Sequence, residues 1–354
     1  MRTQTYVWQT ASVIRETKDA VTIVFDTGST PFDYKAGQFI NVRLVINGEA
    51  VSRSYSLSSC PGEDERPSIT VKRVDNGIMS EYILLYAEEV RSWSIEGPFG
   101  FFHPTEETKK ARHVVLIAGG SGISPVFSII KDLLKNTQVK VSLFYSNKSW
   151  DLTIFRYVLA YLERIFLERF SVHYVFTEER GATSFPKKEY ILGRLSRLVL
   201  KKLLKNSIGE AVTDAHYFIC GPNGLIKTTE EALESLGVSK SLIHKELFIA
   251  AEDDNPEIIL PDTNVEVLFH FYEQTNLLDV TPGKTILEAA LEDRIEVRYS
   301  CKAGTCGVCT GKLVSGNVHM RHNYALQEHQ LREGYILLCQ SHPLSNDVTV
   351  AVGI

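Results

Sequence analysis

The sequence lacks the features that would direct it to a membrane, a secretory route or nucleic acid. Its 354 residues contain no apolar run near the roughly 20 residues that span a bilayer, and the N-terminal MRTQTYVWQTASVIRETKDA has no signal-peptide core. A net charge of -5 disfavours nucleic acid as the main partner. We therefore expect a cytoplasmic protein of two or three domains, in which clustered cysteines more often bind metal than form disulfides.

Cysteine is also scarce, yet three of the six cysteines lie within YSCKAGTCGVC, residues 299–309. The spacing Cys301-x4-Cys306-x2-Cys309, followed by Cys339 in YILLCQS, is the plant-type pattern for a [2Fe-2S] cluster. It predicts three ligands from a tight loop and a fourth from a distant strand. The small residues between them let backbone N–H groups approach the sulfurs. A structural zinc site is the weaker alternative, because zinc usually shows two C-x2-C pairs.

The sequence around this loop, residues 262–354, predicts a small domain of mixed helix and strand. NVEVLFHFYEQ and LLDVTPG alternate as a hairpin, and TILEAALEDR has helical spacing with Thr285 as a possible cap. TGKLVSGNVHM and DVTVAV are typical of further strands. Over its entire length this region resembles a plant-type ferredoxin, which implies an α+β (β-grasp) fold.

Residues 109–250 alternate between strand and helix patterns, which predicts an α/β doubly wound domain around a parallel sheet. Two turns would lie at carboxyl ends of strands, where such sheets bind ligands, and a glycine loop opening a helix suits a dinucleotide pyrophosphate. Ser124 is a plausible N-cap and Pro125 fits the first helical turn. The spacing is not G-x-G-x-x-G, so an ordinary glycine-rich turn is the alternative. The candidate residues are Gly119, Gly120, Ser121, Gly122, Ser124, Pro125, Cys220, Gly221 and Pro222.

Residues 1–108 contain short alternating strands with closely spaced turns, which predicts an antiparallel β-barrel. Within it stands RSYS, and a glycine and a serine follow downstream at the start of a helical pattern. Taken alone, RSYS would be a polar-faced strand. The candidate cofactor residues here are Arg53, Ser54, Tyr55, Ser56, Val71, Lys72, Arg73, Gly77, Met79 and Ser80.

These three motifs, in this order, resemble the ferredoxin–NADP reductase superfamily. The resemblance implies that Arg53 pairs with a flavin phosphate, that Tyr55 lies against the isoalloxazine, and that Ser56 sits near flavin N5, where hydride arrives. It also implies a flavin pyrophosphate at the helix start, between Gly77 and Ser80.

The resemblance extends to the end of the nicotinamide domain. There Glu246 and Phe248 form a Glu-x-Phe element that closes the domain near the flavin, although Phe248 could be a plain core aromatic. Cys220 resembles a cysteine beside the nicotinamide, but hydride transfer needs positioning more than acid–base help. Tyr55, Ser56, Cys220 and Phe248 are thus the candidate catalytic residues.

Over its whole length the chain resembles the reductases of multicomponent oxygenases, including those of the phenylacetyl-CoA epoxidase type. This implies electron transfer from NAD(P)H through FAD and a [2Fe-2S] cluster to a terminal oxygenase. The charges and prolines of residues 251–261 predict an exposed linker. FAD is favoured over FMN. NADPH is favoured over NADH because Ser146, Asn147 and Lys148, with Arg156 nearby, could bind a 2′-phosphate. A free-standing diaphorase or oxidase, or an iron–sulfur redox sensor without flavin, are the alternatives.

Overall fold

The computed structural model describes residues 5–179, 190–248, 260–326 and 328–353. The chain divides into two compact units, Thr5–Leu247 and Phe248–Ile354. Most of the predicted linker, residues 251–259, lies outside the described residues. The predicted domain bounds therefore stay predictions.

The first part of the larger unit is the predicted antiparallel barrel. Its six strands are ordered β4-β3-β6-β1-β2-β5, and each neighbouring pair is antiparallel. The sheet curls until its edges meet at one bridge between Leu57 and Ile69, around a core rich in tryptophan and branched side chains. Its elements are β1 (Thr5–Thr17), β2 (Ala20–Asp26), β3 (Phe39–Ile46), β4 (Glu49–Ser56), β5 (Ser68–Lys72), α1 (Ile78–Tyr86), β6 (Trp93–Phe99) and α2 (Glu106–Lys110).

The second part of this unit is the predicted parallel α/β domain. Its strand order is β10-β9-β8-β7-β11-β12, and every pair is parallel. Because β7 and β11 are neighbours, the turns that follow them open at the same edge of the sheet. The elements are β7 (His113–Gly119), α3 (Ile123–Asn136), β8 (Lys140–Asn147), α4 (Arg156–Ile165), β9 (Phe170–Phe176), β10 (Tyr190–Leu192), α5 (Arg197–Ile208), β11 (His216–Cys220), α6 (Asn223–Glu234) and β12 (Ile243–Glu246).

The start of α3 differs from the sequence prediction in one respect. Ser124 is not the N-cap, because residues 120–122 form a 3₁₀ turn that begins the helical path early and makes Gly122 the cap. The Ser124 hydroxyl instead donates to the carbonyl oxygen of Thr70 in the barrel, at 3.5 Å. Pro125 does lie in the first helical turn, as predicted.

Helix α3 is attached to the barrel along one side. Ser128 donates a hydrogen bond to the Ser59 carbonyl at 2.5 Å, and Lys131 forms an ion pair with Asp64. The Ser128 contact is buried, so it fixes the helix against the barrel more firmly than an exposed ion pair would. The glycine loop before α3 is therefore held at a defined position relative to β4, the strand that contains the RSYS motif.

The smaller unit has the predicted α+β fold. A five-stranded sheet of order β14-β13-β19-β15-β17 stands beside a two-stranded ribbon, β16-β18. Thr285 caps α7 in a capping box with Glu288, as the sequence indicated. The elements are β13 (Val265–Phe271), β14 (Gln274–Val280), α7 (Ile286–Glu292), β15 (Thr310–Ser315), β16 (Val318–Met320), α8 (Glu328–Arg332), β17 (Tyr335–Leu337), β18 (Ser341–Pro343) and β19 (Val348–Val352).

Among the helices that the structure describes, none has both the length and the apolar character required to cross a membrane.

Gly122 provides a test of the packing between the two strand-end turns. A Cβ on Gly122 would lie 2.2 Å from the Cys220 carbonyl oxygen, so we expect Gly122→Ala to destabilise the protein by about 1–3 kcal/mol. Gly224→Ala is the matched control, because a Cβ there meets nothing within 4 Å and helix α6 should gain about 0.5 kcal/mol. Thermal unfolding midpoints measure both. Equal midpoints for the two variants would contradict the packing argument.

Candidate functional site

The glycine loop after β7 and the Cys220–Pro222 turn after β11 pack against each other through backbone. A Cβ on Gly119 would lie 2.7 Å from Pro222 Cδ, and a Cβ on Gly221 would lie 2.9 Å from the Gly119 nitrogen. Only glycine permits this approach. Helix α3 then starts without a side-chain cap, so its first N–H groups suit an anion.

The structure brings together Ser56, Glu246 and Cys220, three residues that are far apart in the sequence. The Ser56 hydroxyl donates to Glu246 Oε2 at 3.0 Å, across a separation of 190 residues. Cys220 is fully buried at the end of β11, and its register partner on β12 is Glu246. This hydrogen bond therefore joins the barrel to the parallel sheet at the place where the resemblance implied that flavin and nicotinamide meet.

Two titratable groups at this contact have raised pKa values. Burial raises the pKa of Glu246 to about 8, although the hydrogen bond from Ser56 opposes the rise. Burial, reinforced by Glu246, also raises the pKa of the Cys220 thiol well above its ordinary value. At neutral pH the carboxyl and the thiol are both mainly protonated, so the site carries little charge of its own. A protonated thiol is a weak nucleophile, which agrees with a positioning role for Cys220.

The RSYS side chains of strand β4 differ in burial and in their hydrogen-bond partners. Arg53 is exposed at this sheet edge, and its Nη1 donates to the carbonyl oxygen of Ser52 at 2.7 Å. The Ser54 hydroxyl donates to Asn41 at 2.7 Å, which links β4 to β3. Tyr55 packs on the barrel core, and burial raises the pKa of its phenol. Arg53 is thus the member of the motif that is open to an anionic ligand.

The start of α1 contains the other predicted flavin contacts. Gly77 is the N-cap and offers no side-chain cap. The Ser80 hydroxyl is already used inside this turn, since it accepts from the Val74 N–H at 3.0 Å and donates to the Gly77 carbonyl at 3.1 Å. The side chains of Val71 and Met79 belong to the barrel core. Only the backbone N–H groups of this turn remain as donors, and they fit a phosphate.

Lys72 of the barrel lies beside the glycine loop, and a second lysine is near it. Lys72 Nζ would lie 3.4 Å from a Cβ on Gly120. Burial lowers the pKa of Lys72, and Lys148 contributes to the shift, so the two cations are within electrostatic reach. Arg73, by contrast, is bound to Asp19 at 2.5 Å. Sequence reasoning missed that Lys72 of the barrel lies beside the glycine loop of the other domain, because no local pattern links them.

The residues after β8 that were predicted to bind the 2′-phosphate differ in exposure and in the contacts that they already make. Lys148 is exposed and lies 3.7 Å from Glu178, whereas Arg156 donates to the carbonyl oxygens of Trp150 and Asp151 at 3.2 and 2.7 Å. Ser146 is half-buried and Asn147 is buried. Lys148 is therefore better placed than Arg156 to meet an added phosphate.

Phe248 is 42% exposed. The interpretation of this residue as a plain core aromatic is therefore wrong, and its ring is open to a ligand or a neighbouring group.

In the smaller unit, the four predicted cluster ligands lie close together. The Cys301 thiol contacts those of Cys306 and Cys339, and Cys309 also contacts Cys339. Cys339 lies in the turn between β17 and β18, so the expectation that it comes from a strand is wrong. A turn can direct a thiol along the sheet edge, where a strand would direct it to one of the two faces.

The cluster loop also has the close backbone approach that its small residues predicted. The N–H groups of Ala303 and Thr305 donate to Cys301 Sγ at 3.3 and 3.4 Å. A Cβ on Gly304 would lie 2.8 Å from the His322 carbonyl oxygen. Among the described residues, no three His, Cys, Asp or Glu side chains surround a point suited to a single metal ion. Four thiols with N–H donors fit a two-iron cluster, in which each iron takes two thiolates.

Comparisons with known proteins match each part of the chain. Residues 9–103 match an oxidoreductase FAD-binding domain, residues 116–231 an oxidoreductase NAD-binding domain, and residues 270–344 a 2Fe-2S iron-sulfur cluster binding domain. The last range contains all four clustered cysteines. Glu246 and Phe248 lie outside the matched ranges.

Full-length relatives and one solved structure agree with this layout. One subunit of the 1,2-phenylacetyl-CoA epoxidase from Escherichia coli is 28% identical over 96% of this chain and 95% of its own. The ferredoxin reductase component of 3-ketosteroid-9-alpha-monooxygenase from Mycobacterium tuberculosis is 31% identical over 97% of this chain and 94% of its own. Phthalate dioxygenase reductase has the same fold, with a TM-score of 0.58, 21% identity and 98% of each chain covered.

The fold and the matched domains define an NAD(P)H-dependent oxidoreductase with FAD-binding and [2Fe-2S]-binding domains. The chain belongs to the family of ferredoxin reductase components that supply electrons to oxygenases.

The raised pKa of Glu246 predicts a pH-dependent stability. A carboxyl with a folded-state pKa of about 8 binds its proton more tightly in the folded protein than in the unfolded chain. Its contribution to the free energy of unfolding is therefore complete below the unfolded pKa of 4.5, and it is lost as the pH rises towards 8. Relative to Glu246→Gln, the wild type should lose stability between about pH 5 and pH 8. Urea unfolding at several pH values measures this difference. Glu210→Gln, which removes an exposed carboxylate, is the control, and a constant difference between wild type and Glu246→Gln would refute the prediction.

Proposed function

We propose that Ser56, with Glu246 and Cys220 behind it, forms the position at which hydride passes from NAD(P)H to the flavin. The observation that carries this proposal is the 3.0 Å hydrogen bond from Ser56 to Glu246. It joins β4 of the barrel to β12, the edge strand of the parallel sheet. When bound, the flavin accepts a hydride and the two-iron cluster carries one electron at a time.

The side chains around this position orient the reactants and keep the site neutral. Glu246 holds its proton at neutral pH, so no carboxylate repels the electron-rich ring. The Ser56 hydroxyl is fixed by the carboxyl, which defines the side from which a nicotinamide approaches. Phe248 follows Glu246 by two residues, and we assign its ring, which is 42% exposed, to contact with a cofactor ring.

The remaining site residues bind the phosphates. Arg53 and the free N–H groups at the start of α1 hold the flavin pyrophosphate, and the uncapped start of α3 with Lys72 holds the nicotinamide dinucleotide. Cys301, Cys306, Cys309 and Cys339 ligate the cluster. Their mutual contacts support this assignment.

The terminal acceptor that we propose is an oxygenase of the phenylacetyl-CoA epoxidase type. The full-length similarity to one subunit of that enzyme supports it, but steroid and betaine monooxygenase reductases are about as similar. A cytoplasmic location agrees with the lack of a disulfide among the six cysteines of the described residues, because the cytoplasm keeps cysteines reduced.

Ser56→Ala tests the hydride-transfer site. Loss of the hydroxyl should slow flavin reduction by NAD(P)H by at least about tenfold without releasing the flavin, because the hydroxyl orients the reactants and does not anchor the cofactor. Anaerobic stopped-flow spectroscopy follows flavin bleaching and then cluster reduction.

Ser58→Ala is the matched control, since it removes a buried hydroxyl on the same chain segment that bonds Ser68 and Thr70. Equal slowing in both variants would refute a special role for Ser56. A wild type whose flavin bleaches while its cluster stays oxidised would refute the electron path as a whole.

We also propose NADPH as the preferred donor, with Lys148 binding the 2′-phosphate. Lys148→Ala should then raise KM for NADPH by about tenfold and leave KM for NADH nearly unchanged, because one charge-assisted contact is lost. Lys140→Ala, at the opposite end of β8, is the control. Equal effects of Lys148→Ala on both nucleotides would end this assignment.

A further inference from the structure

Gln340 directly follows the fourth predicted cluster ligand and is buried in the smaller unit, with 7% of its surface exposed. Its backbone is fixed on both sides. Its N–H donates to the Leu337 carbonyl at 2.9 Å, and its own carbonyl accepts from the Arg321 N–H at 2.8 Å. A buried amide side chain needs partners for its N–H groups, so the partners that it finds show what the side chain does.

The Gln340 amide joins the two segments that supply the predicted cluster ligands. Its Nε2 donates to the carbonyl oxygen of Lys302, in the three-cysteine loop of residues 301–309, at 3.0 Å, and to that of Cys339 at 2.8 Å. These contacts fix the orientation of the amide, because the reverse orientation would set its oxygen against two carbonyl oxygens. The side chain therefore links the three-cysteine loop to the turn that carries the distant ligand.

The same nitrogen lies close to a cluster thiol. Gln340 Nε2 is 3.7 Å from Cys339 Sγ, a hydrogen-bonding distance for sulfur, and the Gly304 N–H also donates to this thiol. Nε2 has two hydrogens for three acceptors, so it acts on the sulfur chiefly as the positive end of the amide dipole. Donors of this kind stabilise negative charge on a ligand sulfur.

The contact with Gln340 also supports the three-cysteine loop itself. Lys302 has a φ of +53°, a conformation that a lysine adopts only at some cost, and its carbonyl is bound by the Gln340 amide. Two residues further on, a Cβ on Gly304 would lie 3.1 Å from Gln340 Cγ. The part of the loop between Cys301 and Cys306 is therefore packed against this one side chain.

We propose that Gln340 is a positioning residue of the electron-transfer centre, which holds the three-cysteine loop against the Cys339 turn and raises the reduction potential of the bound cluster. This rests on the proposed ligation of a two-iron cluster by the four cysteines. Reduction adds one electron and increases the negative charge on the ligand sulfurs, so an N–H group that faces one of them favours the reduced form.

The test replaces Gln340 with methionine in the full chain, because methionine is unbranched and has no N–H to donate. In Gln340→Met the equilibrium between oxidised and reduced cluster should shift about tenfold towards the oxidised form, a fall of about 59 mV for a one-electron couple. A redox titration with mediator dyes, followed by visible absorbance and by electron paramagnetic resonance of the reduced cluster, measures the shift. Iron and sulfide analysis shows whether each protein carries its cluster.

Ser341→Ala is the matched control. Ser341 is fully buried and next to Gln340, but its hydroxyl donates to the Leu337 carbonyl at 2.8 Å and not to a thiol. Its loss should leave the midpoint potential unchanged.

Gln340→Asn is a second test variant. It keeps the amide but shortens the side chain by one methylene, which withdraws the N–H groups from Lys302 and from the Cys339 sulfur. We expect a fall in potential in the same direction as for Gln340→Met.

An unchanged potential in Gln340→Met would overturn the proposal, and so would an equal fall in Ser341→Ala, which would assign the effect to a general disturbance of the turn. If Gln340→Met does not retain a cluster, an unchanged potential in Gln340→Asn has the same meaning. Loss of the cluster from both variants would reduce Gln340 to a structural contact and overturn its assigned effect on the potential. Failure of the proposed function reads differently, because the purified wild type itself would then lack iron and sulfide.

Discussion

The close approach of two backbones at the edge of the parallel sheet is the constraint on which the larger unit depends. The Cys220 carbonyl occupies the space that a Cβ on Gly122 would fill. This contact sets where α3 begins, and the bonds from α3 to the barrel then fix the barrel against the sheet. The 3.0 Å contact between Ser56 and Glu246 is a consequence, because both of its partners are carried by elements that this packing positions.

The same packing explains how one site can serve two cofactors of similar charge. In the proposed site, the pyrophosphate of each cofactor would meet an uncapped helix start, at α1 and at α3. Lys72 comes from the barrel but lies at the loop of the nicotinamide-type domain, so positive charge is shared between the two positions. Between them the carboxyl of Glu246 and the thiol of Cys220 remain protonated, which leaves the centre of the site free of charge.

In the smaller unit, backbone groups form the immediate surroundings of the thiols. Two N–H groups donate to Cys301 Sγ, and Gly304 lets the His322 carbonyl approach. Such donors stabilise negative charge on sulfur.

Local patterns in the sequence determined the three folds, the cysteine spacing and the order of the motifs, because alternation, capping and turn chemistry act over a few residues. Thr285 is an example, since its cap needs only Glu288 three residues later. Only the tertiary structure showed three other features. They are the hydrogen bond from Ser56 to Glu246, the position of Lys72 beside a loop of another domain, and the cap of α3 at Gly122 in place of Ser124. Each depends on long-range packing that brings distant segments within hydrogen-bonding distance, and no local pattern encodes which segments will meet.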